Sequence, residues 1–112
     1  MSTAVSRILD HLRDDGGLQG KDIANIVSVS PATVSRWFSG KATPDLRTQT
    51  LIAELRYVVD RLGDFYTPDE TRLWLHTRHP MLDGERAIDL IMAGKTEAVL
   101  AIIEALDTGA YT

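Results

Sequence analysis

Cysteine is absent from the 112 residues, which excludes disulfide cross-links, thiolate catalysis and cysteine-held zinc. No apolar run approaches the roughly 20 residues that a membrane-spanning helix needs. The opening Met1-Ser2-Thr3-Ala4 leads directly into an amphipathic pattern and lacks the form of a signal peptide, so a soluble, cytoplasmic protein is expected. A basic excess, the usual mark of nucleic-acid binding, is missing too: the net charge is −4. That charge is unevenly divided. Residues 1–50 carry six basic and five acidic side chains, whereas residues 51–112 carry a net −5, which suggests that the two halves meet different partners. There is no glycine-rich phosphate loop and no nucleophile paired with a base, since His11 lies on the first predicted helix and the Ser and Thr residues cluster elsewhere. His76 and His79, with Asp83 and Glu85 nearby, could be drawn as a metal site. His79 directly precedes Pro80, however, and the two rings need not converge, so no metal, no cofactor and no enzymatic activity are expected. No strand, repeat or low-complexity segment stands out, and 44% hydrophobic with 25% charged residues is ordinary globular composition. The fold class expected is all-α.

What the chain does contain is helical periodicity with clear punctuation. Val5, Ile8, Leu9 and Leu12 repeat at i, i+3, i+4, i+7, a first amphipathic helix that Asp14-Asp15-Gly16-Gly17 closes. Ile23, Ala24, Ile26 and Val27 give a second helix its apolar face, and Ser28-Val29 is the turn after it. Ser30 is a good N-cap, and Pro31 stands at the first helical position, where a missing N–H is harmless. On the helix that follows, Val34, Trp37 and Phe38 face inward while Ala32, Ser35, Arg36 and Ser39 line the opposite side, until Gly40 stops it. Past Pro44, Leu46, Leu51, Leu55, Val58, Val59 and Leu62 describe a helix of about four to five turns. Tyr57 on it is assigned to covering the core in preference to a dimer contact.

Gly63 to Tyr66 reads as a boundary, dividing the chain into residues 1–62 and 63–112. Thr67, Pro68 and Glu70 form a capping-box signature for a helix that carries Leu73 and Trp74 and ends before Pro80. Met81 to Gly84 is read as a loop. Ile88, Ile91 and Met92 mark a short helix stopped by Gly94, and Val99, Ile102, Ile103 and Leu106 mark a last one. Val34, Trp37, Leu55 and Trp74 are expected to be largely buried, Trp74 where the final helices meet the long central one. Asp89 either lies on a solvated face or hydrogen-bonds the preceding loop, and Lys95 complements a helix C-terminus.

Two resemblances attach to these residues. Gly17-Leu18 through Ile23-Ala24, Val29-Ser30, Thr33 to Trp37 and Ser39-Gly40 resemble the helix-turn-helix of Xre/Cro-type repressors, with departures at Gly20, Ser28, Pro31 and Ala32. The resemblance implies operator DNA as a partner and Gln19, Lys21, Ser30, Thr33, Ser35, Arg36 and Lys41 as its contacts, Arg36 nearest the bases and Lys41 on phosphate. Because one chain offers few basic groups, a homodimer or larger assembly is expected on the operator. In the second half, Trp74-Leu75-x-Thr77-x-x-Pro80-x-Leu82-x-Gly84, Ile88-Asp89-Leu90-Ile91-x-x-Gly94, Val99, Ile102 and Gly109 resemble the toxin-binding domain of Xre/MbcA/ParS-type antitoxins; Ala87 departs from that family's frequent Pro. This resemblance implies the antitoxin of a type II toxin–antitoxin system. Such a protein occludes the active site of a RES-domain, NAD-consuming toxin and represses its own operon. The implied toxin contacts are Trp74, Asp89, Lys95 and the tail Gly109, Ala110, Tyr111 and Thr112. The alternative is a stand-alone Xre-family transcription regulator with no toxin partner.

Overall fold

Local capping chemistry places the helix boundaries. In the computed structural model, which describes residues 3–109, α1 spans Ala4–Gly16: the Thr3 hydroxyl accepts from the Ser6 N–H while the Ser6 hydroxyl accepts from the Thr3 N–H. Gly17 ends α1 in the left-handed region at φ 65°. α2 (Gly20–Val27) begins where the Asp22 carboxylate accepts the Gln19 N–H at 2.9 Å, and Ser28 turns the chain at φ 61°. α3 (Pro31–Phe38) is capped by the Ser30 hydroxyl on the Thr33 N–H at 3.2 Å. α4 (Leu46–Leu62) is capped by Asp45, and α5 (Pro68–His76) carries the complete Thr67–Glu70 capping box. Two-residue strands β1 (Arg78–His79) and β2 (Glu85–Arg86) pair antiparallel around a 3₁₀ turn at Pro80–Leu82. α6 (Ala87–Met92) and α7 (Thr96–Asp107) complete the order. The architecture is all-α apart from that hairpin, with seven helices among the described residues.

The core is one continuous apolar cluster. It runs from Leu9 and Leu12 of α1, through Ile23, Val34, Trp37, Ile52 and Leu55, to Leu75, Ile91, Val99 and Ile103. α1 packs against α3, α4 and α5, and α4 also packs against α7. The α1–α5 contact is close: a Cβ at Gly17 would lie 2.6 Å from the Pro68 carbonyl oxygen. Glycine there answers both the left-handed φ and the backbone of α5.

Three expectations are corrected: the absence of strands, the burial of Trp74 and the covering role of Tyr57. The hairpin is a pair of strands where none was expected, because a two-residue ladder is too short to show alternation. Trp74 is half-buried, not largely buried, although Val34, Trp37 and Leu55 are buried as expected. Leu46 is 80% exposed and Tyr57 51% exposed. Both sit on the face of α4 opposite Ile52, Leu55 and Val59, and the core is already filled from that inner face.

Candidate functional site

The first face is built on α3. Val34 and Trp37 are buried and fix the helix by its inner side, which leaves Ser35, Arg36 and Ser39 exposed. Ser30, Thr33 and Arg36 are joined along the outer side: the Ser30 and Thr33 hydroxyls are 3.0 Å apart, and Arg36 Nη2 donates to Thr33 Oγ1 at 3.4 Å. Lys41 is exposed just beyond the helix, its N–H donating to the Arg36 carbonyl at 2.9 Å. Gln19 and Lys21 are exposed at the start of α2, which packs on α3. A helix presenting short hydroxyls and one guanidinium, with basic and amide groups at its flank, has the chemistry to enter a major groove and grip the adjoining phosphates.

The start of α2 is tied to the second half of the chain. Asp22, with a 7% exposed side chain, receives two bonds from Arg72 of α5: Nε to Oδ2 at 3.1 Å and Nη2 to Oδ1 at 3.0 Å. Burial alone would raise the Asp22 carboxyl, but the Arg72 and Gln19 bonds outweigh it and hold the group below its ordinary value of 3.8. No sequence signal pointed to this pair. Asp22 is recognisable as a capping residue, but Arg72 lies 50 positions away on an ordinary polar face.

The second face surrounds α5, the hairpin and α6. The Trp74 ring stacks obliquely on His79 at 4.4 Å between centroids, and His79 Nε2 donates to the Trp74 carbonyl at 2.8 Å. Trp74 is thereby held half-exposed at the hairpin instead of sunk into the core. Asp89 accepts two bonds from Arg86, at 2.8 and 3.0 Å, so it fastens the end of the hairpin to α6, and Arg86 holds its carboxyl below the ordinary 3.8. His76 Nδ1 pairs with the Arg72 carbonyl at 2.8 Å. Each of the two suggested metal-binding rings thus has one nitrogen engaged by a backbone oxygen, and among the described residues no three His, Asp or Glu side chains converge on a metal position. Asp22, Asn25, His76, Arg86 and Asp89 line a cleft of about 250 Å³ between α2 and the second half. Lys95 is exposed, its N–H bonded to the Leu90 carbonyl at 2.8 Å. Gly109 is exposed at φ 75° beyond α7, whereas Ala110, Tyr111 and Thr112 lie outside the described residues. Trp74 and Asp89 therefore share one surface region through the hairpin, and Lys95 and Gly109 stand at the two ends of α7.

Comparison with known proteins matches both halves of the chain. A helix-turn-helix family profile covers residues 9–55. The profile of the antitoxin Xre/MbcA/ParS C-terminal toxin-binding domain covers residues 55–109. A probable mycobacterial cidal antitoxin of Mycobacterium tuberculosis is 35% identical over 107 residues, 96% of this chain and 90% of that protein. The chain belongs to the Xre/MbcA/ParS antitoxin family. The mycobacterial cidal antitoxin MbcA of M. tuberculosis is 29% identical over 111 residues, 99% of this chain and 95% of its own. The crystal structure of the M. tuberculosis MbcT–MbcA toxin–antitoxin complex contains a chain that superposes with a TM-score of 0.86 at 26% identity, covering 99% of this antitoxin and 100% of that chain. Antitoxins are a non-enzymatic class, and this chain is one of them.

Proposed function

We propose that this antitoxin binds a RES-domain, NAD-consuming toxin and occludes its active site, and that it represses its own operon by binding operator DNA as a homodimer or larger assembly in the cytoplasm. The observation that carries the reading is the union, in one chain, of a helix-turn-helix segment with a toxin-binding-domain segment, on a fold that superposes end to end with a chain of a toxin–antitoxin complex. In this reading residues 1–62 serve DNA and residues 63–112 serve the toxin. Gln19, Lys21, Ser30, Thr33, Ser35, Arg36 and Lys41 meet the operator. Trp74, Asp89 and Lys95 meet the toxin along the helical surface.

The tail supplies the occlusion. Gly109, Ala110, Tyr111 and Thr112 offer an aromatic ring, the kind of contact an aromatic dinucleotide makes: a face to stack on. The net −5 of residues 51–112 speeds encounter with a positively charged pocket. Deletion of residues 109–112 is expected to leave melting and operator binding unchanged while inhibition of NAD consumption falls sharply at equal concentration. Undiminished inhibition would assign neutralisation to the surface around Trp74 and Asp89. Failure of the full-length protein to bind or inhibit any toxin encoded beside it would favour the stand-alone regulator.

A further inference from the structure

α5 holds the segment that leads into α2, although the two helices belong to different halves of the chain. Leu18 is fully buried, and its N–H donates to the Leu12 carbonyl at 3.2 Å, which pins the turn out of α1. The backbone of α5 stands against the same turn: a Cβ at Gly17 would lie 2.6 Å from the Pro68 carbonyl oxygen and 3.3 Å from the Arg72 Cβ. Arg72 then reaches the Asp22 carboxylate through Nε and Nη2, at 3.1 and 3.0 Å. The oxygen that accepts from Nε, Oδ2, also accepts the Gln19 N–H at 2.9 Å. One carboxylate thus links the Arg72 guanidinium to the backbone where α2 begins. Gln19 and Lys21, exposed on either side of that beginning, are two of the proposed operator contacts.

We infer that Arg72, from the half assigned to the toxin, is a positioning residue for operator DNA. Acting through Asp22, it sets the start of α2 so that Gln19 and Lys21 meet the phosphates beside the groove that α3 enters. Two physical effects combine. Asp22 directly follows Lys21, and an unpaired carboxylate there would offset the attraction that Lys21 offers a phosphate; the guanidinium neutralises it. The two-pronged contact also fixes direction as well as charge, so the Gln19 backbone is held in one place relative to α5. The edge of Arg72 that carries Nε and Nη2 is occupied by Asp22, and the role requires no contact between Arg72 and DNA. The inference rests on the proposed operator binding. It makes the DNA-binding unit larger than residues 1–62, since the start of α2 is fixed only once α5 is in place.

The experiment titrates the full chain against two duplexes of equal length, the DNA upstream of its own gene and a random sequence, over a series of salt concentrations. Arg72→Met keeps an unbranched side chain beside Gly17 and removes both bonds to Asp22. It is expected to weaken binding to both duplexes by the same factor, about tenfold at ~0.15 M salt. The salt slope is expected to fall by about one, the share of one phosphate contact. The ratio of operator to random affinity stays unchanged, because phosphates carry no sequence. Lost stability alone moves neither slope nor ratio in protein that circular dichroism shows to be folded. Val99→Ala, which trims a buried side chain of α7, is therefore expected to melt earlier yet keep the wild-type slope. Action through Asp22 is read from a double-mutant cycle: on an Asp22→Asn background, Arg72→Met is expected to cause no further loss. Arg72→Gln, whose amide can still donate to Asp22, takes the place of Arg72→Met throughout if that variant does not fold. Unchanged affinity and slope, or a loss confined to the operator duplex, overturns the inference. So do losses that add in the cycle, which would make Arg72 itself a phosphate contact. A wild type that binds neither duplex overturns the operator reading, and the inference falls with it.

Discussion

Arg36 stands exposed in the last turn of α3, its guanidinium bonded back to Thr33 at 3.4 Å, a long contact that a base edge can displace. Replacing it with Ala is expected to cost about 1–3 kcal/mol on the specific operator and much less on random DNA; equal losses in a titration of both would show that Arg36 reads no sequence. Asp22 and Arg72 act at the same scale but on stability. Arg72→Ala leaves a nearly buried carboxylate with one backbone partner, and a loss of about 1–3 kcal/mol is expected, moderated because the Arg72 side chain is 41% exposed and solvent screens the pair. The folded carboxyl titrates below its ordinary 3.8. The pair's contribution is therefore fully present above that value and is lost as pH falls through the lower folded one. Thermal melts from pH 7 downward should show the wild type losing its advantage over Arg72→Ala only in that acid range. The outward position of Arg36 was legible because helical periodicity separates it from Val34 and Trp37. Asp89 was legible as one of two alternatives, and its bonds to Arg86 favour the one that fixes the preceding loop. Arg72 was not legible, because a pair across 50 residues leaves no local pattern.

Among the elements, the caps carried the most information. Thr67-Pro68-x-Glu70 and Ser30-Pro31 occupy the positions their side-chain chemistry dictates, since each satisfies helix N–H groups that have no partner of their own. Gly17 serves two elements at once, ending α1 and admitting α5. Gly17→Ala is expected to lower stability by more than the roughly 1–2 kcal/mol that the left-handed conformation costs an L residue, because the new Cβ would also meet the Pro68 carbonyl at 2.6 Å. Denaturant unfolding measures it, and a loss under about 1 kcal/mol would mean that α5 moves aside easily. Tyr57 and Leu46 mark the limit of element-scale reading. Counting apolar residues along α4 identifies the helix, but a long helix has apolar residues on more than one face. Only the packing of α1 and α7 shows which face is inside.

At the scale of the molecule, one apolar cluster extends from Leu9 to Ile103 across both proposed functional halves, and the Asp22–Arg72 pair joins them on its polar side. Cooperative unfolding is the expected consequence: helical circular dichroism and tryptophan fluorescence from Trp37 and Trp74 should report a single coincident transition. Two separated transitions would mean that each half is stable alone. The sequence by itself determined the all-α class, the helix boundaries and the outward side of α3, because capping, proline and glycine signals and the 3.6-residue period are local properties of the chain. The tertiary structure decided that Trp74 stays half-exposed on His79, that Arg72 reaches Asp22, that a short hairpin closes the loop before α6, and that Leu46 and Tyr57 are left uncovered. Each of these depends on which distant segment arrives at a surface, and a chain records such meetings only once packing has excluded the alternatives.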